Sequence, residues 1–136
     1  MYKRQGENVA TFEIANAISR FPGVDDVNVY GVEIPRHDGR AGMATIVAAA
    51  DGLDLKALAD HIAGSLPEYA RPVILRLSRE IEMTSTLKHR KTTLMQEGFD
   101  PAMIDDALYY ADPQARTYRP LDDRDYARIC NGEIRF

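Results

Sequence analysis

Lys88 stands in a run of hydroxyl-bearing and cationic residues, Thr84-Ser85-Thr86-Leu87-Lys88-His89-Arg90-Lys91. The run follows an alternating stretch and leads into one of helical type, so it reads as a turn. A compact ammonium held there can reach a phosphate or a carboxylate of another molecule and offset charge developing on it. From spacing alone, a lysine on a loop is more often a solvated charge than a catalytic one. Other chemistry is thinly supplied. Gly39-Arg40-Ala41-Gly42 and Gly6-Glu7-Asn8 are too short for the GxxxxGK[ST] loop that cradles phosphates. His37, His61 and His89 are scattered, with no cysteine or carboxylate at ligand spacing, so no metal site is expected. His61, beside Ile62 on a helical stretch, reads as a solvated flank. Cys130 reads as a packed side chain, not a nucleophile.

The chain has 136 residues, 45% of them hydrophobic and 28% charged, which fits one globular domain with a real core. A net charge of −4 argues against a nucleic-acid partner, which calls for a basic excess. One cysteine excludes an internal disulfide framework and fits a reducing, cytoplasmic setting. No apolar run reaches the length of a membrane span, and the first residues carry no apolar signal region.

The elements that must position Lys88 follow from periodicity. Residues 2–9 show no apolar period and read as a loop entering a helix, with Asn8 or Thr11 as candidate N-cap. Ile14, Ala17, Ile18 and Phe21 then fall on one helical face, and Pro22-Gly23 ends it. From Val24 to Pro35 the pattern alternates, with Val27, Val29 and Gly31 on one side and Asn28, Tyr30 and Val32 on the other. After a turn at 35–40, the run 41–50 is almost wholly apolar, as in a strand buried on both faces. Leu55, Leu58, Ala59, Ile62 and Leu66 mark a second helix, capped by Asp54 and stopped by Pro67, and Pro72 holds Arg71 extended. Residues 73–77 alternate again, and a helix after Lys88 closes near Glu97-Gly98. The tail from Asp100 carries four of the seven tyrosines, and a short helix over about 122–131 ends at Gly132. This order predicts an α+β fold: a small, largely antiparallel sheet covered by helices, with a C-terminal extension wrapping the core.

The same residues bear a family resemblance. Gly6-Glu7-Asn8-Val9-Ala10-Thr11-Phe12-Glu13-Ile14, Gly39 to Ala44, Leu66-Pro67-Glu68-Tyr69-Ala70-Arg71-Pro72 and Thr84 to Lys88 occur in the order of motifs in adenylate-forming acyl-CoA synthetases. The chain resembles the C-terminal domain of those enzymes. Glu97-Gly98-Phe99-Asp100-Pro101 and Tyr118-Arg119-Pro120-Leu121 look like the tail of the fatty-acid transport protein, or very-long-chain acyl-CoA synthetase, branch. Two positions depart from the wider pattern. Leu87 replaces the glycine before the lysine, as this branch tolerates, and Asn8 stands where many relatives carry arginine.

The resemblance implies a division into a mobile lid core, 1–99, and a branch-type extension packed on it, 100–136. It implies an AMP-forming ligase using ATP, coenzyme A and Mg2+, the Mg2+ bound mainly by a preceding N-terminal adenylation domain. That domain, on the same polypeptide, is the expected partner, and a fatty acid or related carboxylate the expected substrate. Lys88 corresponds to the adenylation lysine, and Gly6, Glu7 and Asn8 to the loop that lines the coenzyme A tunnel. Glu13 matches a family glutamate, although dipole complementation at a helix start explains it as well. Lys91 is a lesser candidate for phosphate contact. The isolated chain is expected to be inactive, and peripheral membrane association is left open for the longer protein. The competing reading is a stand-alone binding or regulatory module that uses the same fold without catalysis.

Overall fold

The computed structural model describes residues 2–4, 7–9, 11–34, 40–48, 54–67, 70–78, 96, 98–102, 104, 107–112 and 117–133. A two-stranded hairpin comes first, β1 (Tyr2–Arg4) and β2 (Glu7–Val9), followed by α1 (Thr11–Ser19). The main sheet has five strands in chain order: β3 (Val24–Glu33), β4 (Arg40–Ala48), β5 (Ile74–Ser78), β6 (Ala107–Asp112) and β7 (Thr117–Pro120). Only the β4–β5 pair is parallel, and the connection between them contains α2 (Leu55–Ser65), as a parallel crossover requires. A third helix, α3 (Asp123–Cys130), follows β7.

Side-chain alternation sorts the core onto the two faces of this sheet. Val29, Ala44, Ile46, Leu75 and Tyr118 face one way and meet Ile14 and Ile18 of α1 and Leu58 and Ile62 of α2. Tyr30, Val32, Met43, Ile74, Leu108 and Tyr110 face the other way, against Phe99, Ile104, Leu121 and Ile129 of α3. Between the α1–α2 layer and the Phe99–α3 layer, the middle strands are buried on both sides. This is why the run 41–48 is apolar at nearly every position.

Helix ends obey local chemistry. Asp54 Oδ1 accepts from the backbone N–H groups of Lys56 (3.0 Å) and Ala57 (3.2 Å), starting α2. Asp122 caps α3 by accepting from the N–H of Asp125 at 2.8 Å. At the other end of α3, Gly132 takes φ +81°. The N–H groups of Gly132 and Glu133 then return to the carbonyls of Ile129 and Arg128, a closure that favours glycine.

Three sequence expectations are revised. Residues 2–9 pair as strands, Lys3 against Asn8 and Arg4 against Glu7, so the stretch read as a loop is a hairpin. Asn8 lies in β2 and Thr11 already inside α1, so neither caps that helix. The tail does more than wrap: β6 pairs with β5 and β7 with β6, completing the sheet. The helix expected after Lys88 lies outside the described residues apart from Gln96.

Candidate functional site

Lys88 and Gly6, with Lys91, lie outside the described residues, so the site is built from the elements that flank them. Glu7 and Asn8 occupy β2, and register pairs them with Arg4 and Lys3, which leaves Gln5-Gly6 as the link between the strands. β1 also lies against β3 and β4, and β2 runs almost directly into α1. The Gly6 link is therefore carried on a hairpin anchored beside the main sheet. Glu13 sits exposed in the first turn of α1, where a carboxylate complements the helix dipole.

Lys88 follows β5, so whatever fixes β5 fixes the origin of its segment. The Leu66–Pro72 turn sets that strand's direction and is held from several sides. Arg71 donates through Nε to the Leu66 carbonyl and through Nη2 to the Ala63 carbonyl, both at 3.0 Å. These are end-of-helix carbonyls of α2, which has no basic residue in its own last turn. The Ala70 N–H donates to the Pro67 carbonyl at 3.0 Å, and the Val73 N–H reaches Gly42 of β4 at 2.8 Å. Tyr118 of β7 donates its buried hydroxyl to the Pro72 carbonyl. The tail thus grips the turn that launches β5.

A polar row crosses the far half of the sheet in register: Asn28 of β3 opposite Thr45 of β4, and Thr45 beside Arg76 of β5. Thr45 Oγ1 shares a 2.7 Å hydrogen bond with the Tyr30 hydroxyl. Asn28 is 7% exposed, and its Nδ2 is the buried side-chain polar atom without a hydrogen-bond partner among the described residues. Arg76, half-buried, is two residues from the end of β5. Nothing in the alternation of residues 24–35 distinguishes Asn28 from its apolar neighbours, so this row was invisible to sequence reasoning.

Where the chain returns, Gly98 takes φ +66° and Phe99 is buried, its ring 5.0 Å from that of Tyr126 on α3. Burial, then the hydrogen bond with Cys130, pushes the Tyr126 phenol up to about 12. Tyr110 is also raised, by burial first and then by the carboxylates of Asp125 and Asp112. Cys130 packs partly buried against the Phe99–Ile129 core, as its sequence context suggested. His61 is not a solvated flank. It is half-buried, its Nε2 lies 2.8 Å from the Ala17 carbonyl, and its ring tilts against Phe21 at 5.4 Å. It therefore bridges α2 to the last turn of α1.

Among the described residues, no group of three or more His, Cys, Asp or Glu side chains is arranged to hold a metal ion. No helix among them is long and apolar enough to cross a membrane.

Comparison with known proteins gives this arrangement its relatives. Residues 13–88 match the AMP-binding enzyme C-terminal domain family, so the match spans more than half of the chain and closes on Lys88. Over 98% of its length, the chain is 44% identical to long-chain fatty acid transport protein 2 of Rattus norvegicus, of which it covers 22%. It is 42% identical over 98% of its length to long-chain fatty acid transport protein 3 of Homo sapiens, covering 20% of that protein. The chain thus spans about a fifth of the length of these relatives. Among solved structures, a fatty acyl CoA synthetase of Mycobacterium tuberculosis superposes with a TM-score of 0.57 at 22% identity, over 68% of this chain and 19% of that one. The R395G form of coronafacic acid ligase of Pectobacterium brasiliense gives 0.62 at 17% identity, over 79% and 21%. At these identities the superpositions establish the shared fold. Strands β3 to β5 and the turn before β5 fall within the matched residues, and the chain belongs to the AMP-binding enzyme C-terminal domain family.

Proposed function

We propose that this chain is the mobile C-terminal domain of an AMP-forming fatty acyl-CoA synthetase and works in the cytoplasm with an N-terminal adenylation domain. The observation that carries the reading is the family match ending on Lys88, extended by transport-protein relatives along nearly the whole chain. In the first step a carboxylate oxygen attacks the α-phosphorus of ATP, the bond to pyrophosphate breaks, and an acyl-adenylate forms. Two anions must approach, and the Lys88 ammonium offsets their repulsion and the charge growing on the phosphoryl oxygens. A guanidinium is a poor substitute, because its planar fork does not fit where a compact ammonium sits.

In the second step the thiol of coenzyme A attacks the acyl carbon and AMP leaves. Gly6, flanked by Glu7 and Asn8, lines the path of the thiol arm, where a side chain on Gly6 obstructs close approach. Mg2+ neutralises phosphate charge when bound, and its ligands belong to the adenylation domain. Residues 1–99 form the lid core, and 100–136 a branch-type extension whose strands complete the sheet. The Arg71 and Tyr118 contacts hold the approach to β5, the strand that precedes Lys88 in the chain.

The test is complementation. The isolated chain is expected to release no pyrophosphate from ATP and a fatty acid. The longer polypeptide, with the adenylation domain preceding this chain, is expected to do so and to form the thioester when coenzyme A is added. Fatty-acid-independent behaviour of the longer polypeptide, with tight binding of the isolated chain to a separate protein, favours the regulatory-module reading instead.

A further inference from the structure

Of the chain's four asparagines, Asn131 alone is followed by glycine; Asn8 and Asn28 precede Val9 and Val29, and Asn16 precedes Ala17. The difference is chemical. The next backbone nitrogen in the chain can attack an asparagine's side-chain carbon, and a Cβ on the following residue, above all a branched one, hinders that approach. Asn131 is also exposed to water, whereas Asn28 is buried. Its place in the fold sets both the rate and the consequence. Asn131 is the C-cap of α3, with φ −80° and ψ −10°, and Gly132 follows at φ +81°. In that closure the attacking nitrogen is occupied. The Gly132 N–H donates to the Ile129 carbonyl at 3.2 Å, while the N–H groups of Asn131 and Glu133 donate to the carbonyls of Ala127 and Arg128, both at 2.9 Å.

We propose that Asn131–Gly132 is a self-modification site, held in check by the C-cap of α3 and released when that cap opens. Once the turn opens, the Gly132 nitrogen attacks Cγ of Asn131 and a new C–N bond forms. The bond from Cγ to Nδ2 breaks, and ammonia leaves with the proton from the Gly132 nitrogen. Water then adds to a carbonyl of the cyclic imide and opens the ring. The product is aspartate, or isoaspartate with an extra methylene in the main chain. Either product works against the closure that held the reaction back. A new carboxylate at the C-terminal end of α3 meets the negative end of the helix dipole and stands close to Glu133, itself 3.5 Å from Arg128. In isoaspartate the added methylene moves Gly132 and Glu133 out of register with the carbonyls of Ile129 and Arg128. Ile129 is 1% exposed and seats α3 in the core with Phe99 and Tyr110, so conversion loosens that seat from its end.

The experiment incubates the longer polypeptide, wild type and Asn131→Gln, in mildly alkaline buffer with and without denaturing guanidinium. Peptide mass mapping follows the exchange of amide for acid at residue 131, and hydrogen exchange follows the amides of residues 129–133. Expected is conversion to both aspartate and isoaspartate in the unfolded wild type. In the folded protein it is slowed roughly ten-fold or more, because the cap must open first. Asn131→Gln is expected to convert far more slowly in either state, since its longer side chain must close a less favoured ring. Converted protein, refolded, is expected to exchange the 129–133 amides faster than unconverted protein. Equal folded and unfolded rates overturn the protection by the cap. An amide that survives in both states overturns the site, and aspartate without isoaspartate overturns the cyclic route. Unchanged exchange in the converted protein overturns the effect on α3.

Discussion

Removing one oxygen from Tyr118 tests how the tail controls the turn ahead of β5. In Tyr118→Phe the ring stays in the Ile14–Leu75 core, so apolar burial is nearly unchanged. What is lost is the hydroxyl that donates to the Pro72 carbonyl, both residues being buried. The net value of such a bond is about 0.5–1.5 kcal/mol, but a buried acceptor left without its donor raises the cost to roughly 1–3 kcal/mol. For a domain of this size that corresponds to a fall in Tm of about 3–10 °C. Urea denaturation of the isolated chain reads it directly: the midpoint moves down while the m-value stays constant, because the surface exposed on unfolding is the same. A shift below about 0.5 kcal/mol refutes the reasoning, since the carbonyl would then have found another donor and the tail would not be gripping the turn.

Other predictions follow from the same contacts. Arg71→Met keeps the aliphatic stem but strips two donors from the α2 carbonyls; with the group half exposed, a loss of about 1–2 kcal/mol is expected in the same denaturation assay. Asn28→Leu replaces an amide whose buried Nδ2 has no partner with a side chain of similar size, so stability is expected to rise, by up to about 1–2 kcal/mol. A lowered midpoint would show that the amide is satisfied in solution. Tyr126 ionises late because burial and Cys130 favour its neutral form, raising it from 10.0 to about 12. A raised folded value means a contribution that is intact below pH 10 and lost as pH climbs through about 12. Tyrosinate absorbance during alkaline titration is expected to show a late phenol at about 12 that disappears in Tyr126→Phe.

The elements with a clear apolar period were legible from sequence. Ile14 and Ile18, Leu58 and Ile62, and the alternation around Val29–Tyr30 all lie where their spacing puts them. The β1–β2 hairpin was not, because Lys3, Arg4, Glu7 and Asn8 are polar on both sides and carry no period of two. β6 failed for the opposite reason. Leu108-Tyr109-Tyr110-Ala111 contributes to both cores, so nothing alternates. His61 looked solvated because its acceptor, the Ala17 carbonyl, is 44 residues away in sequence. Lys88 and Gly6 were singled out only through motif order, since a lone lysine and a lone glycine carry no spacing signal, and both lie outside the described residues. Asn28 had no signal at all.

The central claim is that Lys88 serves the first chemical step and not the second. In the longer polypeptide, Lys88→Ala is to be assayed for adenylate formation from ATP and fatty acid, and for thioester formation from preformed acyl-adenylate and coenzyme A. The account predicts a loss of about 10²–10³ in the first rate, roughly 2.7–4 kcal/mol, with the second largely intact. Wild-type rates in both half-reactions contradict it and leave Lys88 a solvated charge on a loop.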